Sequence, residues 1–502
     1  MIPNTRYAPP RAGAMLESLR GLGYTTAAAV ADIIDNSISA NATEVRLDFS
    51  WHGTASRVTM LDNGIGMTDA ELESAMRLGD KSPLDTRTAG DLGRFGMGLK
   101  TASLSQCRRL TVASVKKGEK PACLRWDLDA LACSPDAGWL LFEGPAAGSE
   151  NFLSALREQV SGTLVLWENL DRIVSGGYGV DDYNDLIDRV HAHLAMVFHR
   201  LQDGSCPRLR IHLNGRSITP WDPFMCKHAA KPWHSPIERK RTDAGTVEIE
   251  CHVLPHKDKL TPEAFDSGAG PEGWTAQQGF YVYRNMRLLV AGGWLGLGQG
   301  RAWNRDETLR LARIRLDIPN TADAAWKIDI RKSTARPPVA LRSWLTQFAE
   351  ETRNRARRVF AYRGAYTPGS APLEQAWRVE HAPSGTRYRI DNQHPAVSAV
   401  LDGAGEMLPA VRAMLRVIEE TVPVQRIWLD TAENKDTPQT GFAGEPPEAI
   451  VGVLMTLFED MTGRKGMSWD NARRTLLSTE PFQNYPALVA ALPMTGSPSN
   501  AT

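Results

Sequence analysis

The sequence has no run long and apolar enough to cross a bilayer. Its most apolar stretch, residues 288–297, is short and interrupted by Gly292, Gly293 and Gly296, whereas a spanning helix needs about 20 apolar residues. The first 20 residues hold no apolar core of signal-peptide length. Both absences predict a cytoplasmic protein with no membrane partner. Net charge is missing too: 58 Lys and Arg balance 58 Asp and Glu. A nucleic acid would therefore have to be met by a local patch rather than by a global field. The six cysteines form no CxxC pair and keep no regular spacing, which argues against a disulfide framework and predicts reduced, mostly buried thiols. Cys226, His228 and His234 make the tightest local group, but a loop zinc site needs four ligands in better order. There is no internal repeat and no low-complexity block.

What is present is an ordinary globular composition, 42% hydrophobic and 23% charged, over 502 residues. That length exceeds one core and predicts two or three domains. A first segment, 1–205, reads as a helix over 25–37 and strands at 45–49 and 57–61. A short helix over 69–78 starts from Thr68 as N-cap. A polar loop at 81–91, strands at 110–114 and 164–167, and a helix over 183–201 complete it. A second segment, 206–363, opens with a hairpin at 209–219 around Asn214 and Gly215, continues with strands at 245–253 and 279–290, and ends in an amphipathic helix, 340–362. After a linker-like stretch, 364–372, the remainder to 502 reads as mainly helical, clearest at 407–420 and 449–461, with a frayed tail at 494–502.

Four motifs carry the chemistry. Asp32 and Asn36 end the first helix four residues apart and so share a face; a carboxylate beside an amide oxygen can hold Mg²⁺ and orient water at a phosphate. The same pattern also suits a solvated helix end. Asp62, Asn63, Gly64, Ile65, Gly66 and Met67 follow a strand directly. Their glycines permit a sharp turn and close approach of a flat ring, and the Asp62 carboxylate can accept from an exocyclic amine such as adenine N6. Read alone, this is a β-turn. Gly93, Arg94, Phe95, Gly96, Met97 and Gly98 form a glycine loop running into Leu99, Lys100 and Thr101, where helix amides can receive phosphate oxygens. Ser161, Gly162 and Thr163 open a later strand.

The four motifs occur in order within the first third of the chain, and together they resemble the GHKL superfamily of gyrase, heat-shock chaperone, histidine kinase and MutL. The resemblance implies an α+β fold: a Bergerat α/β sandwich with an antiparallel sheet, then a β-α transducer domain and a mainly helical C-terminal region. It implies ATP and Mg²⁺ as cofactors and a Mg-dependent ATPase. Asp32 would be the general base and Asn36 the metal ligand. Asp62 would read adenine, with Gly64, Gly66 and Met67 around the ring and Thr163 in support. Gly93, Arg94, Phe95, Gly96, Met97, Gly98 and Lys100 would surround the phosphates, beneath a lid at 81–91. One departure stands out. Related members carry Glu where this chain has Asp32, and the shorter carboxyl predicts slow hydrolysis, or action through a bridging water.

Fewer than forty residues precede Asn36 and none of residues 1–51 is His, which speaks against the histidine-kinase branch. The stretches 91–101 and 279–288 resemble MORC-type ATPases and their prokaryotic relatives, the second stretch matching the start of a transducer domain. Transducers return one cation to the γ-phosphate, which implies Lys332, with Lys327 and Arg331 as alternatives. Arg353, Arg355, Arg357 and Arg358 late in the amphipathic helix, or Arg239, Lys240 and Arg241 in a loop, are candidates for contact with DNA backbone; a solvated charged face is the other reading. The functional expectation is a nucleotide-dependent homodimer, acting as a clamp on double-stranded DNA in a defence or DNA-processing system. The alternatives are ATP-gated control of a protein partner docked on the C-terminal region, or a near-inactive nucleotide-binding module.

Overall fold

Alternation builds the first sheet. In β1 (Glu44–Ser50), Val45, Leu47 and Phe49 are buried while the residues between them face outward, as the two-residue period of a half-buried strand requires. The structure, a computed structural model, describes residues 10–80, 98–133, 138–323, 325–329, 332, 334–360, 374–382, 385–427 and 448–493. These fall into two units, 1–361 and 362–502. The first unit contains α1 (Ala12–Arg20), α2 (Thr26–Ser39), β1, β2 (Arg57–Asp62), α3 (Asp69–Met76) and α4 (Gly98–Leu104). Next come β3 (Arg109–Val115), β4 (Ala122–Asp127), α5 (Leu128–Cys133), β5 (Phe142–Glu143) and β6 (Gly162–Glu168). They are followed by α6 (Val180–Val197), α7 (His199–Gln202), β7 (Arg210–Leu213) and β8 (Arg216–Ser217).

The eight strands form one sheet in the order β5-β4-β3-β6-β2-β1-β7-β8. Every pair is antiparallel except β1 with β7. Val30, Ile33 and Ile34 of α2 and Val190 and Leu194 of α6 meet the inward residues of the sheet, including Val58, Val112, Val165 and Trp167. Leu156, in the 3₁₀ segment Glu150–Glu158, covers Leu61, Leu164 and Leu166 on the other face. The hairpin expected to open a second segment thus lies at the edge of the first sheet. Backbone pairing with β1, from Glu44 against Arg210 to Leu47 against Leu213, draws it there.

A second sheet contains β9 (Trp233–His234), β10 (Glu238–Thr242), β11 (Gly245–Val253), β12 (Gly279–Arg284), β13 (Arg287–Ala291) and β14 (Ala312–Asp317). Its order is β10-β11-β14-β12-β13, with β9 also on β11. The helix α8 (Pro262–Ala269) lies between β11 and β12 in the chain. One long helix, α9 (Val339–Phe360), packs Leu341, Leu345 and Ala349 on Ile249, Ile314 and Leu316. Arg239, Lys240 and Arg241, read from sequence as a loop, lie in the edge strand β10. Charged side chains on an edge strand discourage further pairing there. Arg353 is drawn between the Trp294 and Trp303 rings at 4.6 and 4.2 Å, so it does not stand in one exposed row with Arg357 and Arg358.

The second unit is helical, as expected, with one addition: an antiparallel hairpin of β15 (Trp377–Ala382) and β16 (Gly385–Ile390). Its core gathers Leu454, Phe458, Ala472, Leu476 and Phe482. All six cysteines are free, but only Cys107 and Cys251 are buried, which corrects the expectation of mostly buried thiols. Cys206 and Cys226 sit outside regular elements and Cys133 at a helix end, where no core is available to them. Among the described residues no group of three His, Cys, Asp or Glu could hold a metal, and no helix is long and apolar enough to cross a membrane. The expected lid at 81–91, the linker at 364–372 and the tail at 494–502 lie outside the described residues.

Leu345 is fully buried between α9 and the second sheet. Leu345→Ala should destabilise the chain by about 2–5 kcal/mol, read as a lowered urea midpoint.

Candidate nucleotide-binding site

The site grows from the C-terminal half of α2. Thr25 caps this helix by accepting from the Ala28 amide at 3.2 Å, and its apolar residues bury it against α4, α6 and the sheet. That burial takes Asp32, Asp35 and Ser37 into the interior while Asn36 stays exposed. The Asn36 amide nitrogen donates to the Asp32 carbonyl at 3.1 Å, so the ligand atom it can offer is its oxygen.

Asp62 ends β2, where it pairs across the ladders with Val45 and Thr163. Its Oδ2 accepts from Ser37 Oγ at 2.8 Å, and its Oδ1 from the amides of Gly64 at 2.9 Å and Thr163 at 3.3 Å. Burial raises the carboxyl above its ordinary value, and these three donors oppose the rise. A carboxylate offers about four acceptor positions. Three are filled, and one remains for an amine such as adenine N6. The Thr163 hydroxyl is 2.9 Å from Ser114 Oγ, which also accepts from the Met67 amide at 2.9 Å. The turn after Asp62 is thereby tied to β3 and β6.

Gly66 has no alternative at its position. Its φ is +66°, and an added Cβ would stand 1.8 Å from the Val115 carbonyl oxygen. Gly64 is nearly as confined, since its Cβ would meet Ala40 at 2.9 Å. Both glycines lie close to neighbouring chain, Gly66 to Val115 and Gly64 to Ala40.

Asp32 is 4% exposed, and both its oxygens are engaged. Tyr24 donates its phenol to Oδ2 at 2.9 Å, and Lys332 Nζ is 2.9 Å from Oδ1. Burial, followed by the Asp32 charge, pushes the Tyr24 phenol well up, which keeps it a donor. Lys332 also reaches Asp35 Oδ2 at 2.5 Å. It comes from a turn closed by its own amide on the Asp329 carbonyl at 3.0 Å, and it takes a left-handed φ of 54°. Arg287 of β13 meets the same pair: Nε is 3.1 Å from each Asp35 oxygen and Nη2 is 3.6 Å from Asp32 Oδ1. Two carboxylates and two cations thus share one buried cluster. Burial alone would raise the Asp35 carboxyl, but Arg287 and Lys332 outweigh it and hold the value low.

The residues expected at the site are therefore brought together in part. Asp32, Asn36 and Lys332 form one group, and Asp62, Gly64, Gly66, Met67 and Thr163 another. Lys100 stands apart from both: it is buried, and its Nζ donates to the Ala75 and Arg77 carbonyls at 2.9 Å each, fastening the end of α3. Gly98 begins α4. Gly93, Arg94, Phe95, Gly96, Met97 and the alternative cation Arg331 lie outside the described residues; Lys327 is exposed. Sequence reasoning passed over Tyr24, Ser37, Ser114 and Arg287 and gave Asp35 no role. Asp35 was legible as a second acid three residues along the helix face, and Arg287 lies inside the 279–288 stretch already singled out. The partners of Tyr24 and Ser114 become visible only in three dimensions.

Residues 24–163 match the family described as Histidine kinase-, DNA gyrase B-, and HSP90-like ATPase, and this segment is a GHKL-type ATPase domain. The chain is also similar to ATPase morc-1 of Caenorhabditis elegans, with 24% identity over 238 residues, covering 38% of this chain. The match spans 27% of the length of that curated relative.

Folding favours the ionised form of Asp35, because its folded value lies below the unfolded one. Its stabilisation is complete above the ordinary carboxylate value of about 4 and is lost as pH falls through the lower folded value. Urea unfolding between about pH 2 and pH 7 should show this acid-side loss. Asp35→Asn should flatten it, and an unchanged slope would count against the cluster.

Proposed function

We propose that this protein is an ATP-driven molecular switch that hydrolyses ATP slowly and dimerises through its nucleotide domain. The observation that carries this reading is the Asp62 carboxylate, buried among three donors with one acceptor position left, inside a segment that matches an ATPase family. Asp62 accepts the adenine amine, with Thr163 and Ser37 holding the carboxylate in place and Gly64, Gly66 and Met67 shaping the turn beside the ring. Asn36 would supply an oxygen to Mg²⁺, which when bound would neutralise charge on the phosphates. Gly93, Arg94, Phe95, Gly96, Met97 and Gly98 are our candidates for the phosphate-binding residues.

Asp32 is the general base. It can take a proton from water only when one oxygen is open, and Lys332 covers Oδ1 at 2.9 Å while Tyr24 holds Oδ2. Moving Lys332 from Asp32 to the γ-phosphate frees the base and links the second sheet to the nucleotide. A single ammonium on a flexible stem suits such a transfer. Loss of the γ-phosphate then returns Lys332 to the carboxylates and resets the domain.

Nucleotide-closed dimers acting as a clamp on double-stranded DNA are the output we favour, in a cytoplasmic system that processes or excludes foreign DNA. This last step is by analogy with the MORC-type ATPases. A second reading, ATP-gated control of a protein partner, is favoured by α10 (Leu408–Glu420). That helix buries none of its residues and leaves Met414, Val417 and Ile418 exposed.

Asp32→Ala should abolish turnover while ATP still binds, and a full rate in this variant would remove Asp32 from the mechanism. Lys332→Ala should lower hydrolysis more than ADP binding; equal losses would count against its role. ATPase rate and oligomeric state, measured with a non-hydrolysable analogue and with and without double-stranded DNA, separate the outputs. Stimulation that fades steeply with salt supports the clamp, and no effect of DNA supports the protein partner.

A further inference from the structure

The tip of the β12–β13 hairpin has no role in the reading above, yet it carries the second sheet into the buried carboxylates of α2. Arg284 and Arg287 close a two-residue turn in which Asn285 and Met286 both take left-handed φ, 49° and 68°. That conformation matches the twist of the strands it joins. Met286 packs against the core of the first sheet, and Arg284 is ion-paired with Asp323. Both ends of the turn are anchored, so Arg287 is delivered from a fixed point.

The Arg287 and Asp35 side chains are 4% and 1% exposed. Besides its two contacts with Asp35, Arg287 donates through Nη1 to the Leu288 carbonyl at 2.8 Å, which orients the guanidinium plane. Asp35 lies three residues after Asp32 on the same side of α2. The two carboxylates share two cations, Lys332 and Arg287. If Lys332 leaves for a phosphate, Arg287 is the cation that remains on both. A guanidinium bridging both oxygens of Asp35 also resists rotation of the helix, which an ammonium cannot do equally well.

We propose that Arg287 is a positioning residue for ATP hydrolysis, acting through Asp35 to keep the turn of α2 that carries Asp32 aimed while Lys332 is engaged elsewhere. The proposal rests on the ATPase reading of the site. Arg287 stays 3.6 Å from Asp32 Oδ1 and makes its carboxylate hydrogen bonds to Asp35, so it acts by holding the helix that carries the base.

The test is steady-state ATPase kinetics with fluorescent-nucleotide binding on the full chain, for wild type, Arg287→Gln, Arg287→Lys, Asp35→Asn and the double variant Asp35→Asn/Arg287→Gln, each checked for a cooperative melt. Arg287→Gln should lower kcat about tenfold or more with nucleotide affinity within about twofold. Arg287→Lys should recover part of the loss. The double variant should be no slower than the slower single one, because the two residues act as a pair. Unchanged kcat in Arg287→Gln, equal losses of kcat and affinity, or losses that multiply in the double variant each overturn the positioning role. If Arg287→Gln fails to fold, Arg287→Lys decides: wild-type kcat overturns the proposal, and reduced kcat at unchanged affinity sustains it. A wild-type chain that binds ATP and turns none over overturns the ATPase reading itself and this proposal with it, whereas normal wild-type turnover beside an unaffected Arg287 variant overturns the proposal alone.

Discussion

Two carboxylates buried on one helix are each met by two cations from the far end of the first unit, and the junction of its two sheets turns on that cluster. Asp32 and Asp35 sit in the interior of α2 at 4% and 1% exposure. Taking a charge out of water costs several kcal/mol per ion after relaxation, and only good geometry offsets it. The cations come from far along the chain: Arg287 lies 252 residues beyond Asp35, and Lys332 lies 300 beyond Asp32. The second sheet is therefore held to the first domain by electrostatic need as well as by apolar contact. The Tyr283 hydroxyl on His199 Nε2 at 2.7 Å and the Arg200–Asp317 pair at 2.5 Å strengthen the same junction.

This construction ties stability to function. An ion pair that closes the junction also occupies an oxygen of the acid read as the base. Such a contact is useful to a switch only if a competing anion can draw one cation away. Lys332 is suited to leave, being a single point charge on a turn. Arg287 is suited to stay, being planar and tied to its own strand. The adenine end behaves differently: Asp62 is fixed by three neutral donors and the backbone ladder, and among the described residues no cation pairs with it. One half of the site is preassembled locally, and the other depends on the second sheet.

Much of this was legible in the sequence. Period-two alternation located β1 and β2, and short apolar runs located β3 and β6. The Thr68 cap located α3, where the structure has a full capping box with Glu71. The order of the four motifs was enough to identify the nucleotide domain. Less was legible where pairing partners are remote. The edge strand β10 looked like a loop because it is nearly all charge, and the hairpin β7–β8 looked like a new beginning because nothing local reveals that it lies parallel to β1. The β15–β16 hairpin was hidden in a helical background. Lys100 sits in a phosphate-loop context, yet it is buried on the carbonyls of α3, a contact that no spacing rule predicts.

The sequence by itself determined which residues could bind and where they lie along the chain, because helix and strand periodicity place Asp32 with Asn36 and set Asp62 at a strand end. These are local properties, governed by spacings of a few residues. Only the tertiary structure decided the company those residues keep. Burial gave Asp35 its importance, and packing of the second sheet brought Arg287 and Lys332 to it. The physical reason is that charge stabilisation in an interior depends on distance in space, and the chain separates these partners by roughly half its length.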